Sequence, residues 1–206
     1  SSKLATIFLH FLTMINVVMI GVRNKTIFGS IFMQKNQQKT LIIGAAASGK
    51  SQYAEDILNN NVGKKLYLAS ANIYDEEMQE KVNKHKDRRG SEWTTIAEPL
   101  DAVRHIENLN IKEIMLFDCA TMWLTNHFLE KSNIYHEIDL LVNSIKSSKG
   151  SIITVTNEVG SGIVPDNSMA REFRELQGKL NQRLATVASL VVTVIAGIPL
   201  ILKHPQ

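Results

Sequence analysis

The sequence predicts an α/β fold, with a mainly parallel central sheet flanked by helices, and three observations carry that expectation. From Thr40 onward, short runs rich in Ile, Val and Leu alternate with longer stretches of helical period. Strands covered by helices on both faces read as continuous apolar runs of this kind. A small-residue, glycine-containing turn joins the first apolar run to the first helical stretch. Finally, no internal repeat and no proline-rich or glycine-rich linker divides the 206 residues, a length that fits one catalytic domain.

Taken in chain order, the expected strands are Thr40–Ile43, Lys65–Ala69, Glu113–Asp118, Ser151–Thr156 and Leu190–Ala196. The helical pattern falls on Ser51–Asn59, Tyr74–Arg88, Thr121–Glu130, Tyr135–Ser147 and Asn167–Ala188. Asp166 or Asn167, following Pro165, offers the N-cap of the last helix. Apolar residues make up 44% and charged residues 21% of the chain, which is globular rather than disordered.

With 23 Lys and Arg against 20 Asp and Glu, the net charge of +3 excludes nucleic-acid binding unless basic residues cluster on one face. The basic run Lys84 to Arg89 also contains Asp87, so charge alone leaves it as readily a solvated helix end. A single cysteine, Cys119, excludes an intramolecular disulfide and a cysteine-rich metal site, and fits a reducing compartment, the cytoplasm.

Residues 1–38 form an apolar extension, with the catalytic domain expected over 39–206. Leu4 to Val22 is uncharged and long enough for a membrane helix, although His10, Asn16 and two threonines dilute it. It reads as an anchor with membrane contact, as a targeting segment, or as an upstream extension preceding a natural start at Met33. Nothing catalytic precedes Thr40.

The strongest local signal is Gly44-Ala45-Ala46-Ala47-Ser48-Gly49-Lys50-Ser51, a G-x-x-x-x-G-K-[ST] motif set between strand and helix. Its glycines let the backbone curl so that successive N–H groups and the positive helix end surround phosphate oxygens. Lys50 adds a cation beside the β and γ phosphates, and the Ser51 hydroxyl is a ligand for Mg²⁺. Asp118, closing the run EIMLFD, is the candidate carboxylate for the same Mg²⁺; a strand-closing Asp also serves as a helix cap, and spacing alone leaves both open.

Four blocks carry a more specific pattern: GAAASGKS, LYLASANIYDEEMQEKVNKHKDRRGSEW, FDCATMWLTN and VTNEVGSGIVPDNSMAREFRELQGKLNQRLA. In order and approximate spacing they resemble the bifunctional adenosylcobinamide kinase / adenosylcobinamide-phosphate guanylyltransferase family over about Thr40 to Lys203. The resemblance implies a P-loop NTPase (RecA-like) fold and two uses of nucleotide. One phosphorylates the aminopropanol hydroxyl of adenosylcobinamide. The other joins GMP from GTP to that phosphate, giving adenosyl-GDP-cobinamide. GTP is the implied donor, with ATP possible in the kinase step. The family motif places a GMP-accepting histidine at His85.

A neutral imidazole is a competent nucleophile near pH 7, and Lys84, Lys86, Arg88 and Arg89 supply cations for phosphate oxygens. The resemblance further implies nucleotide contacts at Ala69, Ser70 and Ala71, at Lys86, Asp87, Arg88 and Arg89, at Glu98 and at Asp118, together with a homotrimer binding the corrinoid between neighbours. Glu158, in the loop Asn157 to Pro165, is a candidate for orienting substrate or metal, or for a structural hydrogen bond. This chain departs from the family at Ala47, where Arg is common, and at Ala97-Glu98-Pro99, where the family often has Glu-Glu-Pro. Those departures keep open a nucleotide-binding module without turnover, and the phosphate loop by itself also fits a P-loop kinase of another small hydroxyl substrate that leaves His85 unmodified.

Overall fold

The computed structural model describes residues 37–59, 63–72 and 92–205, all within one compact unit, Lys35–Gln206. The elements are β1 (Lys39–Gly44), α1 (Lys50–Asn59), β2 (Lys64–Ala69), β3 (Trp93–Ala97), α2 (Ala102–Glu107), β4 (Glu113–Asp118), α3 (Ala120–Leu129), α4 (Ile134–Ser147), β5 (Ser151–Asn157), α5 (Ser168–Val187), β6 (Leu190–Ile195) and β7 (Ile198–Lys203). The strands form one sheet in the order β3-β2-β4-β5-β1-β6-β7. Neighbours pair in parallel except at β6 and β7, which form an antiparallel hairpin.

All five expected strands and four of the five expected helices stand within a residue or two of their sequence-derived bounds. The expected helix Tyr74–Arg88 and the apolar run Leu4–Val22 lie outside the described residues. Asn167, rather than Asp166, caps α5 by accepting the Ala170 N–H at 2.7 Å.

Three elements were not legible as runs. The edge strand β3 is WTTIA with exposed threonines and no continuous apolar stretch. Helix α2 has six residues and so shows no period; Asp101, accepting from the Arg104 N–H, starts it. Strand β7 follows β6 after a two-residue turn with φ of 52° at Ala196 and 78° at Gly197, the positive pair that a tight hairpin requires. The sequence shows β6 and β7 as one apolar stretch, and Pro199 falls on the outer strand, where a missing N–H is tolerated.

Alternation within each strand builds two faces. Leu41, Leu66, Leu68, Met115, Phe117, Ile152 and Val191 join Ile106, Trp123, Leu124, Ile138, Leu141 and Leu180 of the helices in one buried cluster. The intervening residues Ile42, Leu116, Ile153, Val155 and Val192 are buried on the other face, where α1 packs on β1, β4 and β5 with Ala54, Ile57 and Leu58 inward. Topology thereby sends the carboxyl ends of the parallel strands to one edge. In open α/β sheets ligands bind outside those ends, where crossovers diverge.

At the opposite end of the sheet, Lys39 is buried at the start of β1. Its ammonium donates to the Ser148 carbonyl at 2.8 Å, the Ser148 hydroxyl at 2.6 Å and the Gly150 carbonyl at 2.6 Å. Burial pushes its pKa from 10.5 down to about 8. Between those values the unfolded chain binds more protons than the folded one, so this lysine makes stability rise with pH across that window. Urea unfolding at pH 7.5 and pH 10 is expected to show that rise in the parent, and a smaller rise in Lys39→Met.

Candidate functional site

The phosphate loop runs from Gly44, the last residue of β1, to Lys50 and Ser51, the first turn of α1. Ala45, Ala46 and Ala47 are exposed at the carboxyl edge of the sheet. The loop is closed by Ser48 N–H donating to the Ala45 carbonyl at 3.2 Å, and α1 begins with Tyr53 N–H on the Gly49 carbonyl at 2.9 Å. Ala47 and Gly49 hold φ of 56° and 92°, the left-handed region that lets consecutive N–H groups turn inward. Lys50 donates to the Ala45 carbonyl at 3.1 Å, so its ammonium lies over the loop. Burial lowers its pKa, and the Asp118 carboxylate works against that shift.

Both motif glycines are demanded by backbone pressed against them from β6 and the hairpin turn. A methyl group on Gly44 would stand 2.3 Å from the Ser48 hydroxyl and 2.8 Å from the Val194 carbonyl; one on Gly49 would stand 3.1 Å from Gly197 Cα. Gly197 N–H donates to the Ser48 carbonyl at 2.8 Å. The Ser48–Gly49 peptide is planar and trans, so a carbonyl held toward the hairpin turns the Gly49 N–H away from it. On the other flank, Glu158 N–H donates to the Gly44 carbonyl at 3.0 Å.

Asp118 closes β4, level with Ala69 of β2 and Val155 of β5. It accepts from the Tyr67 hydroxyl at 3.1 Å. Beside it the Cys119 thiol is buried and its pKa is pushed up to about 12, chiefly by burial and then by the Asp118 charge, which leaves it a protonated packing group. Lys50 and Ser51 after β1 and Asp118 at the end of β4 thus sit at the same carboxyl edge, with β5 between the two strands.

The other expected contacts divide by location. Ala69, Ser70 and Ala71 stand at the end of β2, on the same edge as the loop. Ser70 is fully buried; its hydroxyl donates to the Cys119 carbonyl at 2.6 Å and accepts the Cys119 N–H at 3.0 Å, so this side chain joins strand ends. Glu98 follows β3. One of its oxygens accepts the N–H groups of Leu100 and Asp101 at 3.2 and 3.1 Å, and the other faces Arg104. Burial works to raise its pKa, but the Asp101 and Leu100 N–H groups and the charges of His105 and Arg104 outweigh it and hold the carboxyl below its ordinary value. The Glu158 carboxylate turns back to accept the Gly160 N–H. His85, Lys84, Lys86, Asp87, Arg88 and Arg89 lie outside the described residues.

Three participants were not anticipated: Tyr67, Gly197 and Asn126. Asn126 is 2% exposed on α3. The signal for it was present, because a short polar amide three residues after Trp123 sits on the helix's inward face within FDCATMWLTN.

Among known proteins, the family model for cobinamide kinase / cobinamide phosphate guanyltransferase matches residues 40–202. The bifunctional adenosylcobalamin biosynthesis protein CobU of Escherichia coli strain K12 is 33% identical over 180 residues, spanning 79% of this chain and 98% of that protein. CobP, the protein of the same description from Pseudomonas aeruginosa, is 33% identical over 168 residues, spanning 80% and 97%. Among solved structures, the PH0250 protein of Pyrococcus horikoshii OT3 superposes with a TM-score of 0.52 at 11% identity, over 86% of this chain and 93% of that one. A type III secretion ATPase superposes with a TM-score of 0.51 at 12% identity, over 76% and 51%. These two likenesses show the fold alone.

Replacing Gly197 by Val, which does not adopt φ near +78°, should release the Ser48 carbonyl. Titration calorimetry with GTP should then show roughly tenfold weaker binding, the worth of about one oriented hydrogen bond. Asn at position 196, which favours the same turn, should leave affinity at the parent value.

Proposed function

This chain belongs to the cobinamide kinase / cobinamide phosphate guanyltransferase family, and we propose how its residues divide the two reactions of that bifunctional enzyme. The observation that carries the reading is the phosphate loop and Asp118 on one sheet edge, in a chain matched by the family over residues 40–202.

In the kinase step the aminopropanol hydroxyl oxygen of adenosylcobinamide attacks the γ-phosphorus of GTP or ATP. The bond to the β–γ bridging oxygen breaks, the nucleoside diphosphate leaves and the hydroxyl proton is released. Lys50 and the loop N–H groups stabilise the charge that gathers on the phosphate oxygens. Phosphoryl transfer needs little covalent help from the protein, so positioning and charge are what these groups contribute.

The donor set also fits Mg²⁺: one hydroxyl, Ser51, and one carboxylate, Asp118, beside a loop that binds phosphates. Magnesium commonly keeps several waters and takes one or two protein oxygens plus phosphate, so no larger carboxylate cluster is called for. When bound, the ion would neutralise phosphate charge; Ser51 and Asp118 would hold it.

In the guanylyl step, the imidazole nitrogen of His85 attacks the α-phosphorus of GTP and pyrophosphate leaves. A phosphate oxygen of adenosylcobinamide phosphate then displaces the imidazole, forming the pyrophosphate link of adenosyl-GDP-cobinamide. Lys86, Arg88 and Arg89 are assigned to phosphate oxygens, and Ala69, Ser70, Ala71, Asp87 and Glu98 to the nucleotide's surroundings. Ser70 is fully buried with its hydroxyl, N–H and carbonyl all bonded within the protein, so its part is to shape the end of β2 that borders the nucleotide.

A homotrimer binding the corrinoid between subunits remains our assignment. It is supported by the edge strand β7, whose Ile198, Leu200 and Leu202 are more than half exposed. Among the described residues no helix is long and apolar enough to cross a membrane. A cytoplasmic setting, which the single cysteine fits, is part of the proposal.

Incubation with Mg²⁺ and α-³²P-labelled GTP should label the parent and the version beginning at Met33, with acid-labile, alkali-stable radioactivity, and leave His85→Ala unlabelled. A parent that binds GTP but takes no label would refute the guanylyl-histidine. Light scattering of Leu200→Glu should report a smaller assembly than the parent's; an unchanged mass would remove β7 from the interface.

A further inference from the structure

Asn126 makes a set of bonds that a helix residue has no need of for the helix's sake. Its amide nitrogen donates to the Ser70 carbonyl at 2.8 Å and to the Pro99 carbonyl at 2.8 Å, and its oxygen accepts from the Asn72 amide at 3.2 Å. None of these partners belongs to α3. Burying an amide among apolar groups is costly unless every bond is made, and here Trp123 and Leu124 beside it are fully buried.

The two carbonyls lie just past the point where the sheet's own ladder stops. Pairing of β2 with β3 ends at Ala69 and Ala97, and pairing of β2 with β4 ends at Ala69 and Asp118. One further backbone bond follows on each side, Glu98 N–H to the Ala69 carbonyl at 2.9 Å and Ser70 N–H to the Asp118 carbonyl at 3.3 Å. The ladder pairing stops there, and a primary amide with two donors on one nitrogen can bridge both carbonyls, as a backbone N–H cannot.

We infer that Asn126 is a positioning residue of the nucleotide site. It fixes the end of β2, where Ala69, Ser70 and Ala71 stand, against the Glu98–Pro99 corner that follows β3. This rests on the reading that these two segments border the bound nucleotide. Glu98 cannot hold the corner alone: its carboxylate is committed to Leu100, Asp101 and Arg104 on the α2 side. The Leu100 carbonyl is fixed separately by Trp123 Nε1 at 2.8 Å and by His127 at 3.2 Å. Among the described residues, the bond that joins the Pro99 carbonyl to the β2 side is the one from Asn126.

The test compares Asn126→Asp and Asn126→Ser with the full-length parent, in GTP KM and kcat for label transfer and in GTP affinity by calorimetry. Asn126→Asp keeps the shape but faces two carbonyls with acceptors. Its GTP affinity should fall about tenfold near neutral pH, one charge-free hydrogen bond or more having been lost. It should recover in part toward pH 5.5, where a carboxyl whose pKa is raised by burial and by the facing carbonyls regains one O–H donor. Asn126→Ser retains a small donor and should show a rise in KM of severalfold with kcat within twofold of the parent.

An affinity within twofold of the parent in both variants would overturn the inference, as would loss of activity only in proportion to the fraction folded at unchanged KM. Should the aspartate variant fail to fold, the serine variant decides by its KM. Should the parent bind GTP without transferring GMP, the functional reading fails while calorimetry still tests Asn126.

Discussion

The phosphate loop depends on backbone held from outside it. Its curl puts Ala47 and Gly49 at positive φ and leaves Ala45 to Ala47 in solvent, with little packing of their own. Neighbouring strands supply what the loop lacks: the N–H of Glu158 after β5 holds Gly44, and the N–H of Gly197 in the hairpin holds Ser48. Because β5 and β6 flank β1 in the sheet, strand order itself brings these two clamps to opposite sides of the loop. A site that must present N–H groups to phosphate is best served by groups locked before the ligand arrives, since no ordering cost then falls on binding.

The same logic extends across the edge as buried polar chains. Thr156 donates to Asn181 at 2.8 Å, Gln177 donates to both at 2.9 Å, and Asn181 donates to the Asn157 carbonyl at 3.0 Å, while Thr121 accepts the Asn157 N–H at 2.8 Å. These bonds tie α3 and α5 to the end of β5. Asn126 does for β2 and β3 what this group does for β5. An apolar body could have been packed without either, and desolvating these groups costs free energy that their hydrogen bonds offset in part; among the described residues Gln177 Oε1 and Asn157 Oδ1 make no bond. Their placement at the carboxyl edge, and not in the apolar cluster beneath it, matches a demand for fixed geometry at the site.

Charge follows a similar division. Lys50 is drawn down by burial yet sits within the field of Asp118, so cation and carboxylate share one polar edge over an apolar sheet. Cys119, immediately after that carboxylate, is kept protonated and inert. Glu98, which the family resemblance implies as a nucleotide contact, also has a local use: one carboxylate oxygen accepts the Leu100 and Asp101 N–H groups just before α2.

The sequence by itself determined the α/β class, the five buried strands, the phosphate loop and Asp118. These signals are local: apolar runs and glycine spacing follow from what each segment needs of its own backbone. The four blocks likewise determined the family, since order and spacing survive without coordinates. The tertiary structure alone decided the rest. Strand β3 and helix α2 are held by neighbours and caps rather than by period, and β7 exists because Ala196 and Gly197 reverse an apolar run. That Gly197 meets Ser48, that Ser70 turns inward to Cys119, and that Asn126 joins the ends of β2 and β3 depend on contacts between residues far apart in the chain. Hydrogen-bond partners of that kind are set by strand order, which no single segment encodes.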